Sequence, residues 1–121
     1  MTRKAWFHCF SGIAGDMALG ALVDAGADRS EIIVMLNKLE VNDWKINFEK
    51  VLRCGQAGTK ANVVTTETHS HRTASEITDL IKKAELPDRV TKRALDTFEI
   101  LAVAEGELHN MDPSEVHFHE V

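Results

Sequence analysis

Four of the six histidines stand in two His-x-His pairs, His69/His71 and His117/His119, and a fifth, His109, lies just before the second pair. On a strand, residues i and i+2 point to the same face. His117 and His119 would then project together about 7 Å apart, given the rise per residue. Two neutral imidazoles on one face make half of a site for Zn2+, Ni2+ or Cu2+, because ring nitrogens suit borderline metals. The competing reading is a pair of solvated histidines on a strand edge. The second pair, followed by Arg72, shifts the balance toward metal.

Two further groups could serve chemistry. Glu105 and His109 are four residues apart and share a face if the chain is helical there. Glu105 also falls on an apolar stripe, where an unpaired carboxylate is costly. A ligand, a partner to a ligand, or a plain salt bridge would each account for it. The segment Ser11-Gly12-Ile13-Ala14-Gly15-Asp16 reads as a glycine-bearing loop opening a helix, and backbone N–H groups at a helix start can hold an anion. It lacks the lysine and Ser/Thr of a P-loop. Asp16 reads first as the helix N-cap, and beyond that as a candidate catalytic carboxylate. His8 and Cys9 just before the loop alternate, so at most one of them faces a given site.

The elements that must position these groups follow from periodicity. Ala5 to Phe10 (AWFHCF) is a short apolar, aromatic run and predicts a buried strand. A helix is expected over Met17–Ala25, with Leu19, Leu22 and Val23 on one side and Gly26 as its stop. A second helix, capped by Asp28 or Ser30, carries Ile32, Ile33, Leu36 and Leu39 at helical spacing. Trp44, Ile46 and Phe48, then Val51, alternate with polar residues, and Ala61–Thr68 is rich in β-branched side chains. Together they predict a β-hairpin over Trp44–Thr68 turning within Cys54–Gly58, with room for a bulge. Thr73 or Ser75 caps a third helix carrying Ile77, Leu80, Ile81 and Ala84. Pro87 suits the first turn of a fourth. That helix runs from about Asp88 to Leu108, with Val90, Ala94, Phe98, Leu101, Ala102, Glu105 and Leu108 on one stripe. Pro113 breaks it, and Val116–Val121 alternates as a last strand. The expected class is α+β (or α/β): a small sheet including a β-hairpin, three or more strands in all, packed with about four helices.

Composition bounds the function. The 121 residues are of single-domain size, and 44% hydrophobic with 27% charged residues is ordinary for a globular chain. A formal charge of -5 argues against generic nucleic-acid binding, which draws on neutralised phosphates. No apolar run approaches the length needed to span a bilayer, and no unbroken apolar stretch follows Met1-Thr2-Arg3-Lys4 as a signal peptide requires. Two cysteines outside any CxxC pair fit a reducing compartment. A cytoplasmic location is expected. The chain stops at Val121 inside what reads as a strand, as the front part of a longer protein would.

Four stretches together resemble a known family. SGIAGDMALGALVDAG (Ser11–Gly26), HSHR (His69–Arg72), AEGELHN (Ala104–Asn110) and VHFHEV (Val116–Val121) are similar, in order and spread, to the front part of the nickel-insertion proteins of the nickel-pincer cofactor pathway. The resemblance implies a cytosolic nickel insertase of the lyase class, serving lactate racemase maturation. It would insert nickel into pyridinium-3,5-bisthiocarboxylic acid mononucleotide, with CTP and a divalent ion, usually manganese. It places the metal at His69, His71, His117 and His119, with His109 and Glu120 nearby. Asp16, Arg72 and Glu120 become candidate catalytic residues, Arg72 steadying the substrate's phosphate or carboxyl groups. Ser11, Gly12 and Gly15 become candidates to hold its phosphate. The sequence departs from the family pattern at His8, where an aspartate is typical. It also ends where the family continues into a long C-terminal portion carrying the CTP-binding region, so this stretch alone is expected to bind metal without completing the reaction. No nucleic acid or membrane partner is implied, and a homo-oligomer is compatible with the pattern.

Two other classes compete. A non-catalytic oligomerisation or docking domain predicts no stoichiometric metal. A metal-dependent hydrolase with Asp16 or Glu120 as general base predicts tight Zn2+ in a three-ligand site with an open position.

Overall fold

The structure, a computed structural model, describes residues 2–66 and 71–118. Element order is α1 (Gly15–Asp24), α2 (Arg29–Leu36), β1 (Trp44–Arg53), β2 (Gln56–Thr65), α3 (Ala74–Lys83), α4 (Asp88–His109) and a short 3-10 turn, Pro113–Glu115. Among the described residues, four helices and one antiparallel hairpin make a small α+β protein. The chain forms two compact units: Met1–Arg29 with Trp44–Thr65, and Ser30–Asp43 with Thr66–Val121.

In the first unit the hairpin is unbroken. Every residue from Trp44 (opposite Thr65) to Arg53 (opposite Gln56) has a partner, so no bulge is present. The turn is tighter than the two glycines suggest. Cys54 and Gly55 both have positive φ, 50° and 78°, the mirror-image two-residue turn whose twist matches paired strands. Trp44, Ile46, Phe48 and Lys50 share a face with Thr59, Ala61 and Val63 by register. Helix α1 lies on β2. A Cβ built on Gly20 would stand 2.4 Å from the Thr59 carbonyl oxygen, so only glycine permits this approach. Asp24 at the end of α1 accepts from Lys50 Nζ and Thr59 Oγ1, each at 2.6 Å. The opposite hairpin face is polar, with Asn62 donating to Glu49 at 2.6 Å.

Two expectations fail in this unit. Helix α1 begins at Gly15 with Ala14 at the N-cap, so Asp16 is not the cap. It sits in the first turn, where its charge favours the helix N-terminus. Ala5–Phe10 is not a strand. Nothing among the described residues pairs with it, and Trp6 and Phe10 are 85% and 87% exposed. The alternation survives locally, with the His8 ring between Trp6 (centroids 5.3 Å apart) and Phe10 (5.6 Å).

The second unit holds most of the core. Ala74, Ile77 and Ile81 of α3, Ala102 of α4, and Val116 and Phe118 beyond it are buried together, with Ala94, Leu95 and Phe98 against them. The Phe98 and Phe118 rings meet at 5.7 Å in a tilted pair. Thr73 caps α3 through a complete capping box: its hydroxyl accepts from the Glu76 N–H at 3.2 Å, and the Glu76 carboxylate accepts from the Thr73 N–H at 2.7 Å. The inner stripe of α4 keeps the expected Ala94, Phe98 and Ala102 and adds Gly106, while Leu108 is 75% exposed and Val90 and Leu101 lie outside the core. Gly106 is inward because the chain folds back on it: a Cβ there would meet the Met111 carbonyl oxygen at 2.9 Å. Pro87 is the N-cap of α4, one position before its first turn, and Asn110 ends the helix in the left-handed conformation (φ 52°). Of the last predicted strand, Val116–Phe118 lie within the described residues and make a single antiparallel bridge, Thr73 with His117; the sheet of the described residues has two strands, where three or more were expected.

No helix of the described residues is long and apolar enough to cross a membrane.

Candidate metal site

One short contact draws distant parts of the sequence together. The Ala74 N–H donates to the Val116 carbonyl at 2.9 Å, and Thr73 bridges His117. Val116 and Phe118 are 2% and 4% exposed, so both are anchored in the core and the alternating backbone turns His117 outward between them. His71, two residues before Thr73, is exposed beside it in sequence. The αL turn at Asn110 reverses the chain after α4 and returns Met111 toward Gly106, its N–H donating to the Gly106 carbonyl at 2.9 Å.

The result is an open cavity of about 530 Å³ lined by His71, His109, Met111, Val116 and His117. Three of the five metal candidates therefore face one space. His69, His119 and the candidate Glu120 lie outside the described residues. Among the described residues, no three His, Cys, Asp or Glu side chains stand close enough to grip one ion together. The three imidazoles line the space without closing on its centre.

Neighbouring charges are ordered around this cavity. His109 Nε2 lies 3.3 Å from Glu105 Oε2, the i,i+4 pair expected on α4. Glu76 is held below the usual carboxylate range, first by the hydrogen bond from the Thr73 N–H and then by the Thr73 hydroxyl, with the nearby His117 and Arg72 charges adding to it. Arg72 is half-buried between His71 and the α3 cap. Asp112 is also held low, by the Ser114 hydroxyl and N–H it accepts from, which fixes the turn after Met111.

The remaining candidates belong to the first unit. Ser11, Gly12, Gly15 and Asp16 are all exposed. Asp16 Oδ1 accepts from the Met17 N–H at 2.8 Å, one of the donors that a phosphate at this helix start would otherwise take. Cys9 and Cys54 are free and exposed. Sequence reasoning missed Met111. Its signal was available in Asn110, a residue that favours the αL cap and so marks where the chain turns back.

Fold and cavity together define a small α+β protein in which histidines of a pre-helical segment, a helix end and a paired segment line one open cavity. The family model described as nickel insertion protein matches residues 5–121, and the chain belongs to that family. It is 41% identical over 126 residues to the pyridinium-3,5-bisthiocarboxylic acid mononucleotide nickel insertion protein of Geobacillus kaustophilus, covering 96% of this chain and 31% of that relative. The protein of the same description from Desulfitobacterium hafniense is 41% identical over 119 residues, covering 98% and 30%. That of Staphylococcus epidermidis is 40% identical over 121 residues, covering 100% and 31%. The chain thus spans about 30% of the length of these curated relatives. No solved structure matches it significantly.

Proposed function

We propose that this chain is the nickel-handling part of a protein that inserts nickel into pyridinium-3,5-bisthiocarboxylic acid mononucleotide, and that the cavity of His71, His109 and His117 receives the Ni2+. The observation that carries this reading is that three histidines, separate in sequence, line one open space. Family membership and the names of the relatives support it.

The chemistry suits transfer better than storage. Neutral imidazoles strip waters from Ni2+ and hold it as borderline donors. An open set of ligands that does not encircle the ion leaves positions for the substrate's thiocarboxylate sulfurs. As Ni–S bonds form, Ni–N bonds break, and the ion leaves as Ni2+ with no change of oxidation state. His69, His119 and Glu120 would extend the donor set. Arg72, beside His71, offers a guanidinium to the substrate's phosphate or carboxyl groups. Ser11, Gly12 and Gly15 remain candidates for phosphate, and Asp16 for a catalytic carboxylate. CTP and manganese belong, in this reading, to the parts of the relatives outside the matched stretch. The expected lyase-class activity and cytoplasmic location go with the whole reading.

Equilibrium dialysis against Ni2+ tests the site. His71→Ala and His117→Ala should each weaken binding at least about tenfold, and the double variant should show a coupling of about 1 kcal/mol or more. Strictly additive losses would place the two histidines on separate ions and sink the shared cavity. Tight Zn2+ with no measurable Ni2+ would favour the hydrolase class instead.

A further inference from the structure

We infer that α4 is a dimerisation helix: its outer face pairs, antiparallel, with the same face of a second copy of this chain, about a twofold axis at Ile100.

Helix α4 carries apolar residues on two opposite sides. Ala94, Phe98 and Ala102 face the core, with Gly106 in line. At about 100° of turn per residue, Ile100 stands on the far side of the helix from Phe98 and Ala102. Beside it lie Thr97, Leu101, Ala104 and Leu108, all exposed. Ile100 and Leu108 are 72% and 75% exposed. A helix packed on one side and wet on the other needs a single apolar stripe. A second stripe, about three turns long, marks a contact surface. Its polar member suits such a contact. The Thr97 hydroxyl donates to the Arg93 carbonyl at 2.8 Å within its own helix, so its methyl group can be covered with no polar group left unmet. Ala104 is small and lets a second helix come close.

The charges along this face say what covers it. Arg93, Ile100 and Glu107 are seven residues apart, close to two turns, so they lie nearly on one line along α4. Arg93 and Glu107 are exposed. Lys92 and Asp96, by contrast, already pair with each other along the helix at 2.5 Å. In an antiparallel pair centred on Ile100, residues equally far from it on opposite sides face each other. Arg93 then meets Glu107 of the second copy, Glu107 meets its Arg93, and Ile100 meets Ile100. A parallel pair would set arginine against arginine and glutamate against glutamate, which like charges oppose. The antiparallel pair is self-complementary and closes at two copies. A contact of three turns is small beside standard interfaces, so the dimer is expected to be weak and concentration-dependent. His109 lies nine residues beyond the axis. The two copies of it would stand about 27 Å apart along the helices, and each cavity stays with its own chain.

Sedimentation velocity of the intact chain over about a hundredfold range of concentration tests the pairing. A reversible monomer–dimer equilibrium is expected. Ile100→Glu puts two carboxylates at the axis and should abolish the dimer, with helical circular dichroism unchanged because the position is exposed. Arg93→Glu or Glu107→Arg alone should weaken the dimer about tenfold or more, since each turns two attractive contacts into two repulsive ones. Arg93→Glu combined with Glu107→Arg should restore the parent constant to within about twofold. That rescue follows neither from unspecific apolar association, nor from a parallel pair, nor from damage to the fold. A chain that is monomeric throughout overturns the inference and leaves the outer face of α4 to the further length that the relatives carry. A dimer that survives Ile100→Glu overturns it too, as does a single reversal that the double variant fails to rescue. None of these positions lines the histidine cavity, so the outcome is independent of the nickel reading.

Discussion

The two units bury their residues differently. Among the described residues of the hairpin unit the only buried apolar side chain is Ala61, and the helix is held by backbone proximity at Gly20 and by the Asp24 contacts. The helical unit buries Ile77, Ile81, Val116 and Phe118, with Phe98 beside them. The cavity of histidines is on the second. A metal site needs side chains held to a fraction of an ångström, and close-packed apolar neighbours supply that rigidity better than exposed polar contacts do. Val116 and Phe118 flank His117 and are the clearest instance: the core reaches to the residues on either side of this proposed ligand.

The contrast can be tested where it is greatest. Phe118→Ala removes a ring that is 4% exposed and in contact with Phe98, and should cost about 3–5 kcal/mol, as large-to-small core changes do. Both tryptophans, Trp6 and Trp44, lie in the hairpin unit and there is no tyrosine, so tryptophan fluorescence follows one unit and helical circular dichroism weights the other. Phe118→Ala should lower the helical transition and the Ni2+ affinity together while leaving the tryptophan signal nearly in place. Equal loss of both signals would show that the two units unfold as one.

Gly20→Ala is the reciprocal experiment. Its Cβ meets backbone atoms, which cannot rotate away as a side chain can, so α1 must lift from β2. A cost of about 1–3 kcal/mol is expected, typical of overpacking. The tryptophan-reported transition should fall and Ni2+ binding should be spared. A drop in Ni2+ affinity of tenfold or more would tie the cavity to the hairpin.

How far the sequence reveals these features depends on whether the cause is local. The hairpin is legible because alternation and the Cys54–Gly55 turn lie within the segment itself. Helix α3 is legible because Thr73 and Glu76 form their cap across three residues. The Ala5–Phe10 run has the pattern of a strand, but a strand exists only with a partner for its N–H and C=O groups, and among the described residues it has none. On α4 the expected stripe found Ala94, Phe98 and Ala102, but added the large exposed Leu101 and Leu108 and left out Gly106, which faces inward because the chain returns closely there. The histidine pairs were legible as candidate donors. That His71 and His117 line one cavity was not, since the Thr73–His117 bridge joins residues 44 apart in the chain, and no local signal encodes that pairing.

A smaller effect probes the cap beside His71. Thr73→Ala breaks the capping box and should cost about 1 kcal/mol. The Thr73 backbone, which the substitution keeps, is paired with His117, so loosening the cap beside it should lower Ni2+ affinity more than Ser75→Ala does, at an exposed position in the first turn of α3. Equal effects of the two variants would mean that the cap stabilises the helix without setting the histidines.

The mildest test is acid. Asp24 in the hairpin unit is held low by its bond from Lys50 and then Thr59, while Glu76 and Asp112 are held low in the helical unit by bonds from Thr73 and Ser114. Each carboxyl titrates lower when folded than when unfolded. Each therefore contributes stability that is complete above the ordinary carboxylate values, 3.8 for Asp and 4.5 for Glu, and is lost as pH falls through the lower folded values. All three side chains are exposed, so water and salt screen the effect and the slope should be shallow. With two such groups against one, the helical signal should weaken in acid ahead of the tryptophan signal. Glu76→Gln with Asp112→Asn should remove most of that lead. If the double variant keeps the full acid slope, other carboxylates govern the helical unit, and the ordered charges around the cavity do not set its stability.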